Sequence, residues 1–181
     1  MNDRHGPWLR LAHWTTVSLV AAQCTLAGLN ALLYEPRPVL AEALVQAHIS
    51  LGLLILVLTL ARLAIRLGPS GQAAPAVRTG LPGLVGVVHS GLYIVLLLLP
   101  VTGYVKLAAL GYEIRLFSAL SLPALPFDPW LSSLARVAHV YLSATLGVLV
   151  AVHVVGALLH RHLFGSPILS RMAIAGRRSR E

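Results

Sequence analysis

Two histidines in the last apolar stretch of the chain, His139 and His153, are the side chains best placed to carry chemistry. They are fourteen residues apart. In an α-helix this spacing puts both imidazoles on one face, within roughly 40° of each other and about 21 Å apart along the axis. An imidazole in hydrocarbon is costly without a ligand or a hydrogen-bond partner, so both histidines are predicted to belong to a functional site.

Two other histidines occur at matching depths in earlier apolar stretches. His48 lies near the beginning of the second stretch, and His13 lies near the beginning of the first. Because consecutive helices of such a bundle alternate in direction, His48 is predicted to lie level with His139, and His13 level with His153. The sequence therefore predicts two histidine pairs, one towards each end of a helical bundle.

Paired imidazoles from different helices suggest a haem iron with two axial histidines. Zinc would need a third and a fourth nitrogen, sulfur or carboxylate ligand at each level, and neither level offers them. The single cysteine, Cys24, cannot form a C-x-x-C-H site for covalent haem attachment. Any haem is therefore predicted to be bound non-covalently. A haem-free transporter or proton channel that uses the histidines as relays is the alternative.

Three arginines are candidates to pair with haem propionates. Arg10 and Arg136 each stand three residues before a histidine of a pair, one helical turn nearer the water. Arg62 stands fourteen residues after His48, on the same face of the second helix but level with the other pair. All three are predicted to bind the cofactor.

Two further histidines have more ordinary interpretations. His89, in the third apolar stretch, has no histidine left to pair with at its level and is interpreted as a polar packing residue. His160 lies seven residues after His153 on the same face, at the predicted water boundary. A role of His160 in quinone binding or proton transfer is kept as a hypothesis.

The elements that must position these side chains are membrane helices. The chain is 57% hydrophobic and 11% charged, with a mean hydropathy of +0.79, which is too apolar for a soluble domain. The predicted fold class is all-α, an integral membrane four-helix bundle that forms one transmembrane domain over residues 1–181. Its first helix is too long for a signal peptide and is predicted to be retained. The four predicted spans are residues 9–33, 44–67, 84–107 and 129–163.

The connections between the spans differ in character. Prolines and charges at residues 34–38 and a Gly- and Pro-rich stretch at 68–83 indicate loops. The third connection, residues 108–127, is the longest, could accommodate a short surface helix, and is a candidate docking or substrate surface. Asp128 is predicted to cap the last helix, with Pro129 at its first position.

The net charge of +8 lies at helix ends and is not gathered on one basic face, which argues against nucleic acid as a partner. Ten of the fourteen Lys and Arg residues fall on the side of both termini, which are therefore predicted to be cytoplasmic. The run from Arg171 to Arg180 is predicted to anchor to anionic lipid, at about 1 kcal/mol per charge. The ten are Arg4, Arg10, Arg62, Arg66, Arg78, Arg161, Arg171, Arg177, Arg178 and Arg180; the other four are Arg37, Lys106, Arg115 and Arg136.

Over nearly its whole length the chain resembles the prokaryotic cytochrome b-561 family of four-helix, di-haem membrane proteins. The motifs that carry the resemblance are Leu11-Ala12-His13-Trp14, Ala47-His48-Ile49-Ser50-Leu51-Gly52 followed by Arg62 and Arg66, His89 with Tyr93 and Leu99-Pro100-Val101-Thr102-Gly103, the loop from Gly111-Tyr112 to Leu122-Pro123, and His139, His153, His160 and Leu169-Ser170-Arg171-Met172.

The resemblance implies two b-type haems with bis-histidine ligation by His13, His48, His139 and His153. It also implies a bacterial inner-membrane location and electron exchange with the ubiquinone pool. Relatives act as superoxide oxidases, passing an electron from superoxide at the outer face to ubiquinone. Two departures concern the quinone site: His160-Arg161-His162 replaces an adjacent His-His, and a lysine common in the second loop is absent, leaving Arg78.

A different function within the same cofactor chemistry is an alternative. The protein would then be a cytochrome b subunit that relays electrons between quinone and a partner oxidoreductase or a small periplasmic carrier. If superoxide is the donor, Lys106, Arg115 and Arg136 are predicted to steer the anion locally to the outer haem.

Overall fold

The computed structural model describes residues 7–68, 82–117 and 119–164. Within them, four helices are long and apolar enough to cross a membrane, which confirms the predicted all-α four-helix membrane bundle. Most of the second connection, with Arg78, and the terminal segments with Arg4 and Arg171 to Arg180 lie outside the described residues. The elements are α1 (Pro7–Leu33), α2 (Pro38–Leu67), α3 (Pro82–Ala108), β1 (Ile114–Leu116), β2 (Leu120–Leu122) and α4 (Pro129–Phe164).

Each of these helices begins at a proline, a residue favoured at the first helical position because its missing N–H would be unpaired there anyway. The predicted cap of α4 is present, since the Leu131 N–H donates to Asp128 Oδ1 at 2.9 Å. The same preference explains why α2 begins at Pro38, earlier than the apolar pattern alone predicted. Prolines that end one helix can therefore start the next.

The helices pack as two antiparallel pairs, α1 with α2 and α3 with α4, joined by contacts between α2 and α3. Polar bonds tie α1 to α2: Gln23 Nε2 donates to the His48 carbonyl and Asn30 Nδ2 to the Ala41 carbonyl, both at 2.8 Å. Between α3 and α4 a small residue allows close approach, because a Cβ at Gly91 would lie 3.2 Å from Leu149. In the described ranges α4 makes at most isolated backbone contacts with α1 or α2, so a seam runs along α4.

The third connection contains a β-hairpin, so the short surface helix considered for it is wrong. Strands β1 and β2 pair antiparallel, with Ile114 opposite Leu122 and Leu116 opposite Leu120. The sequence held the signal for this hairpin, because Ile-Arg-Leu and Leu-Ser-Leu alternate apolar and polar residues with the period of a strand. We call the end of the bundle that carries this hairpin the hairpin end, and the opposite end, where α1 begins and α4 finishes, the termini end.

Candidate cofactor site between paired histidines

The structure brings together His48 of α2 and His139 of α4 near the hairpin end. Their ring centroids are 6.3 Å apart and the ring planes are inclined by 68°. The Nδ1 atom of His48 is buried and has no hydrogen-bond partner among the described residues. A buried imidazole nitrogen of this kind could bind a metal.

The second predicted pair lies near the termini end. His13 of α1 and His153 of α4 have ring centroids 6.4 Å apart, with an interplanar angle of 56°. Both pairs therefore span the seam along α4, with one histidine on each side of it. Helix α4 contributes to both pairs, and α1 and α2 to one each.

The two spacings fit one metal ion between each pair of imidazoles. A metal–nitrogen bond of about 2.0 Å on each side, with roughly 1.1 Å from each ring nitrogen to its centroid, predicts centroids about 6.2 Å apart. The observed 6.3 and 6.4 Å agree with this requirement. The residues present therefore fit a metal-centred group such as haem between the imidazoles of each pair.

The imidazole of His139 is fixed by the backbone of α3. Its Nδ1 lies 3.1 Å from the Leu99 carbonyl and 3.2 Å from Thr102 Oγ1. Because the Leu99 carbonyl can only accept a hydrogen bond, Nδ1 of His139 carries the proton and donates to it. The single proton of the Thr102 hydroxyl goes to the Leu98 or the Leu99 carbonyl, so its oxygen can also accept from Nδ1. Nε2 then keeps its lone pair for a metal, which is the usual arrangement of a metal-binding histidine.

The same ring lies directly against the α3 backbone at Gly103. A Cβ at this position would be 3.0 Å from His139 Cε1 and 3.3 Å from Nδ1. A side chain at this position would therefore displace His139 by a few tenths of an ångström or more from its hydrogen-bond partners. Two other glycines near the histidines differ in their surroundings. Gly147 on α4 has open space around it, whereas a Cβ at Gly52 on α2 would lie 2.9 Å from Gln23 Nε2.

His89 lies beside His153, a neighbour that the sequence did not predict for it. Its ring lies 5.1 Å from that of His153 at an angle of 86°, and its Nδ1 is 2.7 Å from the Val85 carbonyl. The centroid spacing is too short for a metal with the two rings on opposite sides of it, as in the two histidine pairs. A signal for this contact was present in the sequence, because His89 and Gly103 are fourteen residues apart, like His153 and His139. Since α3 and α4 run in opposite directions, His89 lies level with His153, and Gly103 lies level with His139.

The arginines predicted to bind the cofactor occupy different surroundings. Arg62 Nη1 lies 3.4 Å from Thr16 Oγ1, and its guanidinium lies 5.7 Å from the centre of the Tyr93 ring. Arg66 approaches the same ring at 5.8 Å, so Tyr93 orients both cations, a role that sequence reasoning missed. Arg62 and Arg66 form no ion pair with another described residue and are available to an anion.

The other two predicted arginines lie at opposite ends of the bundle. Arg10 is half-buried near the beginning of α1. Arg136 is exposed on α4 at the hairpin end, where it lies within electrostatic range of Lys106. Lys106 is in turn within range of both His48 and His139. Two cations therefore accompany the histidine pair at the hairpin end.

Histidines that face each other in pairs across a seam between membrane helices are typical of membrane cytochromes that hold haem between helices. The family model for prokaryotic cytochrome b561 matches residues 4–173, and the chain belongs to that family. It is a multi-pass prokaryotic membrane protein, a b-type cytochrome of electron transfer. A comparison with curated proteins finds no match.

Proposed function

We propose that the protein is a di-haem cytochrome that transfers electrons across the bacterial inner membrane, between a donor at the hairpin end and the ubiquinone pool. The observation that supports this most strongly is the pair of histidine spacings, 6.3 and 6.4 Å, on opposite sides of one seam. In this proposal the termini are cytoplasmic and the hairpin end faces outwards, as the arginine distribution favours.

The chain would hold one haem between His48 and His139 and the other between His13 and His153. Haem iron, when bound, supplies reversible one-electron chemistry. The residues around the ligands set its environment: the Leu99 carbonyl orients His139, and Arg10, Arg62 and Arg136 are the proposed partners of the propionates. Because α4 supplies one ligand to each haem, a single helix fixes the separation of the two sites.

Superoxide is the proposed donor. Lys106 lies within electrostatic range of both histidines of the pair at the hairpin end, and Arg136 lies within range of Lys106, so the two cations would attract a small anion over a short range. The support for ubiquinone as acceptor is the resemblance to superoxide oxidases described above. Arg115 contributes less, because it is already paired with Glu113 at 2.9 Å.

The function is tested by stopped-flow reduction of the purified protein by superoxide, with and without ubiquinone. We expect the haem absorbance to change faster than superoxide dismutates spontaneously, and ubiquinone to reoxidise the haems. If superoxide gives no such reduction but a reduced quinone or a periplasmic carrier does, the alternative of a relay subunit is supported. A preparation without a Soret band would leave only the haem-free transporter or channel.

Replacing Thr102 by valine is expected to raise the reduction potential of the haem at the hairpin end. The hydroxyl oxygen is a second acceptor for the Nδ1–H of His139, and its loss makes the imidazole a weaker donor to iron. One hydrogen bond of about 1 kcal/mol corresponds to roughly 40 mV for one electron, which is the upper limit of the shift. Potentiometric titration measures it, and Thr102→Ser should keep the original potential.

A further inference from the structure

The β-hairpin lies on the side of α2 that faces away from the histidine pair. Ser50 and Gln46, which bond the hairpin, are each two residues from His48 and so lie on nearly the opposite face of the helix. Ile114 of β1 is buried against Ile49 of α2 and Ala108 of α3. The exposed residues of the hairpin therefore do not face the seam.

Two apolar side chains on the described part of the hairpin tip are exposed. Phe117 is 63% exposed and Leu120 is 60% exposed. The sequence contains no charged residue between Arg115 and Asp128. Phe117 also has a φ of 49°, a left-handed conformation that a bulky aromatic residue rarely adopts. The tip therefore carries an aromatic side chain at a position where the backbone does not favour one.

The depth of the tip follows from α2. Arg66, in the last turn of α2, meets Tyr93 and marks the water boundary at the termini end, where Arg and Tyr anchor membrane helices. A hydrocarbon core about 30 Å thick corresponds to about 20 residues of helix, which puts the opposite boundary near Gln46. Ser50 is then about 6 Å inside that boundary, and its Oγ accepts a hydrogen bond from the Phe117 N–H at 3.0 Å.

The base of the hairpin has the opposite character. Gln46 bonds the Glu113 carbonyl and the Arg115 N–H, both at 3.4 Å, so these two residues lie level with the boundary. Hydrogen bonds from Arg115 and Ser121 and the positive charge of Arg115 lower the pKa of the Glu113 carboxyl, which stays ionised at neutral pH. The ion pair is 58% exposed on each side and needs water or headgroups around it.

We propose that the hairpin is a re-entrant membrane element, whose tip at Phe117 and Leu120 is immersed in the acyl chains of the leaflet at the hairpin end. The base at Glu113 and Arg115 remains at the water boundary. Non-helical backbone is tolerated at such depth only where protein satisfies its polar groups. At the tip the Phe117 N–H donates to Ser50 Oγ and the Ala119 N–H to the Leu116 carbonyl. The inference goes beyond electron transfer, because it assigns lipid as the partner of this loop.

Site-directed spin labelling in liposomes tests the proposal. Cys24, the single cysteine of the chain, is replaced by serine, and single cysteines are introduced by Phe117→Cys and Leu120→Cys. Tyr112→Cys and Val57→Cys are matched controls, because Tyr112 is 60% exposed just before the base and Val57 is 61% exposed in the middle of α2. Each label is exposed to oxygen, which enters lipid, and to a water-soluble nickel chelate.

At positions 117 and 120 we expect oxygen collisions to exceed nickel collisions several-fold, as at position 57, whereas the ratio should be reversed at position 112. Nickel access at the tip equal to that at position 112 would overturn the proposal. Low access of both reagents would also overturn it, since a protein contact would then cover the tip. The haem spectrum of each variant verifies folding, and the label ratios do not depend on how many haems the protein binds.

Discussion

His139→Ala is expected to reduce the haem content of the purified protein from two haems per chain to one. The variant loses the imidazole that lies opposite His48 at 6.3 Å, while His13 and His153 remain in place at the other level. Removing a ligand from a buried metal site leaves the remaining ligand unable to hold the group in its orientation. Pyridine haemochrome analysis gives the stoichiometry, and redox titration identifies which of the two transitions has disappeared.

His153→Ala is the reciprocal variant and should remove the other transition. His89→Ala is the matched control at that level, because the ring of His89 lies 5.1 Å from His153, too close for the two rings to bind opposite sides of one metal. We expect His89→Ala to keep both haems. Loss of both haems in His139→Ala, or of the transition assigned to His153, would contradict the pairing.

Gly103→Leu is expected to remove the haem at the hairpin end although all four histidines are intact. Even a single Cβ would lie 3.0 Å from Cε1 of His139, whose Nδ1 is held against α3 by the Leu99 carbonyl. The ring cannot withdraw without losing that bond, and overpacking of this kind costs about 1–3 kcal/mol. The measurement is the haem-to-protein ratio together with the redox titration.

Gly86→Leu, in the same helix, is the control for Gly103→Leu. Nothing lies within 4 Å of a Cβ at Gly86, so its substitution should leave both haems in place. Gly103→Ala should have an intermediate effect, in which His139 shifts by a few tenths of an ångström and the potential of one haem changes. Full haem content with unchanged potentials in Gly103→Leu would show that α3 does not position His139.

The histidine pairs were predictable from the sequence because only two rules were needed, the helical period and the alternating direction of membrane helices. The position of His89 required a third relation, the facing of α3 and α4, which depends on side-chain packing that no periodicity records. Likewise, Tyr93 belongs to one of the motifs of the resemblance, but its contact with Arg62 and Arg66 joins α2 and α3 across the bundle and depends on the same packing.

The third connection shows why apolar content alone did not predict the β-hairpin. Its length and prolines indicated irregular structure, and the short strands of the hairpin lie within a segment as apolar as the helices. What stabilises the hairpin is external to it: Gln46 and Ser50 of α2 bond its backbone, and Ala108 covers Ile114. Such contacts depend on tertiary structure, so the alternation in six residues was too weak a signal by itself.

The seam along α4 has a consequence for how the bundle is stabilised. Since the backbone of α4 makes few close approaches to α1 or α2, the α1–α2 pair and the α3–α4 pair are joined mainly through the α2–α3 contact. The haems proposed for the seam would hold the bundle together by joining α4 to α1 at one level and to α2 at the other. The arrangement of the four helices would then depend on the haems as well as on the α2–α3 contact.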